Sequence, residues 1–278
     1  LALAILIDVS GSQNETLPDE KGAARAFIDA VVRPERDKAA VVSFHSEATI
    51  EQDLTGDTTA LHRAIGHIEM PRLWTDKEQV EFVLSAEARG ESGEQARYRI
   101  PGWSAIWDAV WATTGEIMAQ APERSRRAVI LLSDGDENFN SPLKKDDVIE
   151  AALKNDTVIY CIGIGSESLD EGALKRIAER TGGRAFFPED ERQLNAAFAQ
   201  IQQELRSQYL LAYTPTNKAR DSSYRKLRLE IVNPELRKAK LKLSYRQGYF
   251  ARAAALPPAP ARSDRRTLAK PPRKRKQK

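Results

Sequence analysis

The chain has 278 residues, of which 43 are Lys or Arg and 40 are Asp or Glu, so its formal net charge is +3. Hydrophobic residues make up 41% of the sequence and charged residues 30%, values typical of a globular domain. No apolar stretch approaches the ~20 residues that a membrane-spanning helix needs. The single cysteine, Cys161, excludes an intrachain disulfide and a cysteine-based metal site.

The charge is unevenly distributed along the chain. Residues 257–278 hold nine Lys or Arg and one Asp, which leaves the rest of the chain near −5. The sequence also starts without Met, inside an apolar run, so we interpret it as a processed or truncated piece. No signal peptide is visible in it, which says little about location.

Apolar strands alternate with helical patterns over most of the chain. This alternation predicts an α/β fold, with a mostly parallel central sheet and helices on both faces. The predicted strands are residues 1–7, 39–44, 48–54, 128–132, 158–164 and 184–187. The predicted helices are residues 18–33, 58–68, 104–119, 146–154 and 170–180, and a last long helix through Leu194, Phe198, Ile201 and Leu205.

Two regions break this alternation and set the predicted domain boundaries. Residues 70–99 are rich in charge, and we interpret them as an insertion, either a hairpin or a mobile excursion, within a domain of residues 1–207. Beyond that domain the apolar period changes to two, which predicts a β extension over 208–250. Its three predicted amphipathic strands are 209–213, 227–231 and 241–245. The Pro-, Ala-, Arg- and Lys-rich residues 251–278 are predicted to be a disordered basic tail.

The first strand ends in Asp8-Val9-Ser10-Gly11-Ser12. A strand this apolar is buried on both faces, so the carboxylate and the two hydroxyls emerge together at the sheet edge where α/β proteins bind ligands. Small oxygen donors at this spacing suit a hard cation such as Mg²⁺. The alternative is a structural one, since Asp and Ser also favour Asx turns and helix N-caps.

Two further segments bear on that choice. Ser133-Asp134-Gly135 follows a second apolar strand, so Asp134 is expected at the same edge as Asp8. Two neighbouring carboxylates repel each other unless a cation or a proton compensates. Between them in sequence, Gly102-Trp103-Ser104 places a hydroxyl at the start of a predicted helix. Together these residues favour the metal-site interpretation.

These loops resemble the metal-ion-dependent adhesion site of von Willebrand factor type A domains. The family's site is written D-x-S-x-S, then a loop Thr, then an Asp in a second acidic loop. Asp8, Ser10 and Ser12 match the first loop without a gap, and Asp134 matches the acidic loop.

The loop that carries Ser104 departs from the family pattern at two positions. Ser104 stands where the family usually has Thr, in a loop often written Gly-Gly-Thr-Ala-Leu, and Trp103 replaces a Gly. Serine keeps the ligating hydroxyl but loses the methyl group that restricts the rotamer. Trp103 adds bulk beside the site, so the departures affect affinity and ligand shape more than metal binding itself.

The resemblance covers residues 1–207 apart from the insertion, and it continues beyond them. Residues 208–215 (QYLLAYTP), 224–227 (YRKL) and 246–250 (RQGYF) look like the tail of the bacterial VWFA-related family, whose members are typically exported. The resemblance implies a Rossmann-like three-layer domain and an extracytoplasmic location, secreted or periplasmic.

For function, the resemblance implies an adhesion-type, protein-binding module without catalysis. A Mg²⁺ ion (or Mn²⁺ or Ca²⁺) would be held by a set of five side chains, and an Asp or Glu carboxylate of a partner protein would complete its shell. The implied metal ligands are Asp8, Ser10, Ser12, Ser104 and Asp134, and the positions expected to contact the partner are Asn14, Trp103, Gly135 and Asp136.

Three other functions were weighed. A structural module could use the same fold without a metal. A phosphate hydrolase of the haloacid dehalogenase type would use Asp8 as nucleophile, but it needs D-x-D, and Ser10 cannot serve as a general acid near neutral pH. The basic tail could bind nucleic acid, but no aromatic residues interleave with its charges, so we favour a solvated end.

Overall fold

The computed structural model describes residues 1–92, 104–137, 141–165, 169–209, 211–239, 241, 243–251 and 266–267. The strands are β1 (Ala2–Asp8), β2 (Lys38–Phe44), β3 (Ala48–Thr55), β4 (Arg127–Ser133), β5 (Thr157–Gly163), β6 (Ala185–Phe186), β7 (Tyr224–Lys226), β8 (Gly248–Phe250) and β9 (Arg266–Thr267). The helices are α1 (Leu17–Val31), α2 (Thr58–His67), α3 (Asp76–Ala88), α4 (Ile106–Ala112), α5 (Lys145–Lys154), α6 (Glu171–Thr181), α7 (Glu191–Ser207) and α8 (Pro234–Lys238).

The main sheet has the strand order β6-β5-β4-β1-β2-β3-β9. Its strands β6, β5, β4, β1 and β2 are parallel, whereas β3 runs antiparallel to β2 and β9 antiparallel to β3. Every residue of β1 and β4 is buried, which explains why both are uninterrupted apolar runs apart from their ends. Since β1 and β4 are parallel neighbours, their carboxyl ends meet at one edge, with Ile7 paired to Leu132.

Helices cover both faces of this sheet and divide the core into two layers. Leu3, Ile5 and Ile7 of β1 face a cluster that includes residues of α1, α2 and α7. Ala4 and Leu6 face the opposite cluster, which includes residues of α4, α5 and α6. The predicted three-layer α/β fold with a mostly parallel sheet is therefore confirmed.

The helix predicted over 104–119 is shorter and less regular than expected. After α4 the chain continues as a π-helical turn at Thr113–Ile117 and a 3₁₀ turn at Met118–Gln120. The Thr114 hydroxyl donates to the carbonyls of Val110 (2.9 Å) and Trp111 (3.0 Å), and such back-bonding widens a helix.

The interpretation of residues 70–99 as a hairpin is wrong over 76–88, which form α3. The helix begins with a capping box: the Thr75 hydroxyl accepts from the Glu78 N–H (3.3 Å), and the Glu78 carboxylate accepts from the Thr75 N–H (2.8 Å). The Thr-x-x-Glu sequence at Thr75 and Glu78 is the local signal for this helix, whereas the high charge of the segment is also compatible with a loop. Residues 93–99 of the predicted insertion lie outside the described residues.

The three strands predicted in the 208–250 extension are wrong in the described residues. The extension instead pairs β7 with β8 as an antiparallel ribbon, and α8 interrupts the alternating segment. The cause is Asn233-Pro234, where the Asn233 side chain caps α8 by accepting from the Glu235 N–H (2.9 Å). Tyr224 and Phe250 of the ribbon pack against the core of the main domain.

The predicted disorder of residues 251–278 falls mostly outside the described residues. Within that range Arg266–Thr267 form β9, which pairs with Thr49 and Ile50 of β3, so the prediction is wrong for these two residues. The pairing uses backbone groups of the exposed edge strand, which side-chain composition does not reveal. None of the helices in the described part of the chain is both long and apolar enough to cross a bilayer.

Two glycines give a matched test of this packing. A Cβ at Gly183 would lie 2.0 Å from the Ile159 carbonyl oxygen of β5, whereas a Cβ at Gly22 of α1 would meet no atom within 4 Å. We expect Gly183→Ala to destabilise the fold by about 2 kcal/mol through overpacking. Gly22→Ala should stabilise it by roughly 0.5–1 kcal/mol, because alanine is the better helix former. Urea unfolding followed by circular dichroism measures both changes, and equal effects of the two substitutions would contradict the packing described.

Candidate functional site

Three loops meet at the carboxyl ends of β1 and β4. The first follows Asp8, the last residue of β1, and the second follows Ser133, the last residue of β4. The third carries Ser104 immediately before α4 and is held in place by the Ala105 N–H, which donates to the His45 carbonyl (2.8 Å) after β2. The parallel register of the strands is what brings the three loops together.

Asp8 is the hub of this cluster and is fully buried. Its Oδ1 accepts from the Ser10 N–H at 2.9 Å, and this contact forms an Asx turn. The structural alternative predicted from the sequence therefore applies to this oxygen. Its Oδ2 accepts from the hydroxyls of Ser133 (2.7 Å) and Ser104 (3.0 Å). The Ser10 hydroxyl makes no capping bond to the 3₁₀ turn Gly11–Gln13, so the N-cap alternative is not met there.

A second set of contacts joins the first loop to Asp134. The Ser12 hydroxyl donates to Asp134 Oδ2 at 2.7 Å, and the Ser10 and Ser12 hydroxyl oxygens lie 3.3 Å apart. Gln13 supports the turn, because its side-chain amide donates to Ser12 Oγ and to the Ile164 carbonyl, both at 3.3 Å. The five residues predicted from the sequence as a set, Asp8, Ser10, Ser12, Ser104 and Asp134, therefore form one hydrogen-bonded cluster.

Four of the five residues of the cluster are buried and one is exposed. Asp8, Ser10, Ser104 and Asp134 are each at most 2% exposed. Ser12 is exposed, so a ligand can approach the cluster from the side of Ser12.

Burial places the Asp8 carboxylate in an unfavourable electrostatic setting. Loss of hydration raises its pKa to about 6, against the lowering effect of its hydrogen bonds to Ser10 and Ser133, and the nearby Asp134 charge raises it further. Among the described residues, no Lys, Arg or His forms an ion pair with Asp8. A positive charge placed in the cluster would relieve this cost.

Two buried glutamates beside the cluster were not singled out in the sequence. Glu20 of α1 is fully buried; Thr16 Oγ1 donates to its Oε1 (2.8 Å), and its Oε2 has no hydrogen-bond partner. Burial raises the Glu20 pKa to about 8, with smaller contributions from Asp8 and Asp134. The only sequence signal for Glu20 is its position on the helical face shared with Leu17 and Ala24.

Glu137 links the acidic loop to the loop of Ser104. Its Oε2 accepts from the Trp107 N–H at the first turn of α4 (3.0 Å), and its Oε1 is buried without a hydrogen-bond partner. Burial raises the Glu137 pKa to about 9. The contact fixes α4 against the acidic loop and so holds Ser104 in register with Asp134. The acid-rich run 134–137 is a signal that could have identified Glu137 from the sequence.

The four positions predicted to contact a partner differ in their surroundings. Gly135 has φ +78°, and a Cβ there would lie 2.9 Å from Leu174 Cγ, so the turn requires glycine. The Asp136 N–H donates to Asp134 Oδ1 at 3.0 Å, which orients that carboxylate. Asn14 is exposed next to the first loop. Trp103 lies outside the described residues.

The described part of the chain holds no metal site built from several His, Cys, Asp or Glu side chains. No group of three or more His, Cys, Asp or Glu side chains there is arranged to hold a metal ion. A cation at the cluster would therefore depend on serine hydroxyls as much as on carboxylates.

The burial of Glu20 makes a pH-dependent prediction. Its pKa is about 8 in the fold and about 4.5 when exposed, so the fold favours the neutral acid and loses stability as the pH rises from about 5 to about 8. In EDTA, we expect Glu20→Gln to change the melting temperature little at pH 5 and to raise it by several degrees at pH 9. Thermal denaturation at both pH values measures this, and a difference that does not change with pH would contradict the assignment.

The sequence matches models of a known protein family. Two family models, both described as von Willebrand factor type A domain, match residues 3–83 and 94–200. No curated protein sequence matches the chain.

Solved structures show the same fold at low sequence identity. A von Willebrand factor type A protein from Catenulispora acidiphila is 21% identical, with a TM-score of 0.54; the match covers 73% of this chain and 42% of that one, so this chain spans less than half of its length. BatB from Bacteroides thetaiotaomicron is 18% identical, with a TM-score of 0.54, over 74% of this chain and 97% of that one.

A third structure carries a metal at the corresponding kind of motif. Proximal thread matrix protein 1 from the mussel byssus, with a zinc-occupied MIDAS motif, is 21% identical, with a TM-score of 0.55; the match covers 73% of this chain and 45% of that one. At these identities the structures establish the fold alone. The two family matches, over residues 3–83 and 94–200, show that this chain belongs to the von Willebrand factor type A family.

Proposed function

We propose that the chain is a divalent-cation-dependent protein-binding module whose ion is held by the cluster at the carboxyl edge of β1 and β4. The observation that carries this proposal is the convergence of three serine hydroxyls on two buried carboxylates. The residues proposed to hold the ion are Asp8, Ser10, Ser12, Ser104 and Asp134.

The donor set fits a small hard cation. The Ser104 hydroxyl donates to Asp8 and the Ser12 hydroxyl donates to Asp134, so each hydroxyl oxygen lies beside a carboxylate that would share the cation. Oxygen-only donors favour Mg²⁺ or Mn²⁺ over softer metals, with Ca²⁺ as a weaker candidate. The raised pKa of Asp8 supports the same conclusion, because a bound cation would stabilise the ionised carboxylate.

The mussel protein supports a divalent ion in this kind of motif, since its MIDAS is occupied by zinc. Zinc in that structure does not specify the ion used here. We propose Mg²⁺ because all five side chains offer hard oxygen atoms.

The partner is proposed to be a protein that presents an Asp or Glu carboxylate. The ion supplies a positive centre for that carboxylate, and the exposed position of Ser12 leaves the approach open. The two carboxylates among the five donors only balance the charge of a divalent ion, and the other three donors are neutral hydroxyls, so the loaded site would not repel an anionic ligand. Asn14, Gly135, Asp136 and Trp103 are proposed to surround the approach.

No catalytic role is assigned to the cluster. Asp8 is enclosed by three hydrogen-bond donors and fully buried, which suits an ion-holding carboxylate better than a nucleophile. An extracytoplasmic location is proposed on the family resemblance.

Metal binding is tested by calorimetric titration of Mg²⁺ and Mn²⁺ into the full chain. We expect one ion per chain for the wild type, a melting temperature raised by saturating metal, and affinity lowered about tenfold or more in Asp134→Asn and Ser12→Ala. Asp19→Asn is the matched control, because Asp19 is an exposed carboxylate in the nearby first turn of α1 and is not part of the cluster.

Two outcomes would contradict the proposal and indicate a different function. Absence of binding by the wild type would leave a metal-free structural module. Phosphate release from a generic phosphate ester that disappears in Asp8→Asn would instead identify a hydrolase.

A further inference from the structure

Exposed large hydrophobic side chains are concentrated on two segments of the described chain. Three of them, Leu73, Val80 and Leu84, lie in or just before α3, and we call them the helix surface. The other eight lie in the 208–250 extension, and we call them the extension surface: Tyr209, Leu211, Tyr213, Leu229, Val232, Leu236, Leu241 and Leu243. Such concentration is typical of protein interaction sites, whereas single exposed apolar residues are ordinary.

The helix surface combines apolar and acidic character. Val80 and Leu84 are one turn apart on α3 and are 58% and 59% exposed. Ala86, on the opposite side of the helix, is fully buried, so Val80 and Leu84 lie on the more exposed side of α3. Helix α3 contains four acidic residues and one lysine, and one of the acidic residues, Glu78, is ion-paired with Arg72 just before the helix, so the net charge of this group is −2.

The extension surface combines apolar and basic character. Residues 208–250 contain ten Lys or Arg against three Asp or Glu. The segment is attached to the domain through Tyr224 and Phe250, which pack on the core, and through an ion pair between Arg246 and Asp156.

The two surfaces lie at opposite ends of the sheet. The segment that carries α3 leaves the domain at Ile68, whose carbonyl accepts from Lys21 Nζ near the start of α1 (2.6 Å), and returns at Ser104; both points lie at the carboxyl edge. The extension contacts Asp156, which precedes β5, and Arg180, whose carbonyl accepts from the Gln247 N–H (3.5 Å). These contacts place it at the amino edge, so the two surfaces of one molecule cannot cover each other.

We propose that the extension surface of one copy of this chain docks on the helix surface of a second copy. The two surfaces are both apolar and opposite in charge, so contact would bury hydrophobic area and pair acidic with basic side chains. Different patches on each copy meet, so the contact either continues head-to-tail into rows or rings or closes where two copies make it reciprocally.

A second copy would cover both exposed surfaces, whereas an anionic bilayer would cover only one of them. Lipid headgroups would attract the basic extension, but a bilayer there would leave the apolar residues of the helix surface, at the opposite end of the sheet, exposed. Docking between copies covers both surfaces at once. The proposal does not depend on a metal ion, so its test is done in EDTA.

The first measurement is sedimentation velocity of the full chain in EDTA. We expect the weight-average mass to rise at least twofold between about 1 and about 100 µM, as for an interface of modest size, and to fall again at about 1 M salt, where charge pairing is screened. A monomer at every concentration would overturn the proposal.

The second measurement uses variants that block one surface each. Val80→Lys/Leu84→Lys changes the helix surface and keeps good helix formers, while Val232→Gln/Leu236→Gln changes the extension surface. Each variant alone should remain a monomer, because the surface that every copy retains lacks its complementary surface. Because each retains one intact surface, an equimolar mixture should form a 1:1 heterodimer and nothing larger.

Controls separate docking from changes of charge or folding. Gln200→Lys/Gln203→Lys adds the same charge at exposed positions on α7 and should associate like the wild type. Circular dichroism confirms that each variant is folded. Failure of the mixture to form heterodimer would overturn the proposal, as would a chain that stays monomeric but binds vesicles of anionic phospholipid.

Discussion

The Asp8 carboxylate at the end of β1 is the contact on which the carboxyl edge of this domain depends. Its two oxygens accept from the Ser10 backbone and from the Ser104 and Ser133 hydroxyls. These donors belong to three loops that are far apart in sequence, so one buried side chain sets the relative positions of all three. In the described part of the chain, the backbone tie to His45 and the link from Glu137 to α4 also hold the Ser104 loop.

Several carboxyl groups lie close together at this edge of the sheet. Asp8 and Asp134 are close enough to repel, Glu20 and Glu137 are buried nearby, and burial raises the pKa of Asp8, Glu20 and Glu137. A protein interior tolerates such a concentration of carboxyl groups when they are neutral or when a cation compensates them. The proposed cation therefore follows from the charge balance as well as from the donor geometry, and the buried glutamates would respond to its arrival.

The sequence was most informative where strand burial and parallel pairing act together. The apolar runs that end in Asp8 and in Ser133-Asp134 predicted two central strands and the common edge of their loops, and Ser104 followed from its position before a helix. Glu20 and Glu137 were not found, because a glutamate in a helix or an acidic loop is ordinarily exposed and only the tertiary contacts bury it. The alternation in 227–245 predicted strands, but the Asn233 cap and Pro234 imposed a helix on it. The charge of 70–99 obscured α3, whose capping box was visible in Thr75 and Glu78.

The two proposals involve opposite ends of the sheet. The carboxyl edge holds the proposed ion site and the helix surface, while the amino edge holds the basic extension, so copies joined end to end would stack along the strand direction. The central claim concerns the ion, and anomalous diffraction from crystals grown with Mn²⁺ tests it most directly. The account predicts one anomalous peak within coordination distance of the Ser10, Ser12 and Ser104 hydroxyls, between Asp8 and Asp134. An anomalous map with no peak there, at Mn²⁺ concentrations that saturate exposed carboxylates elsewhere on the molecule, would contradict it.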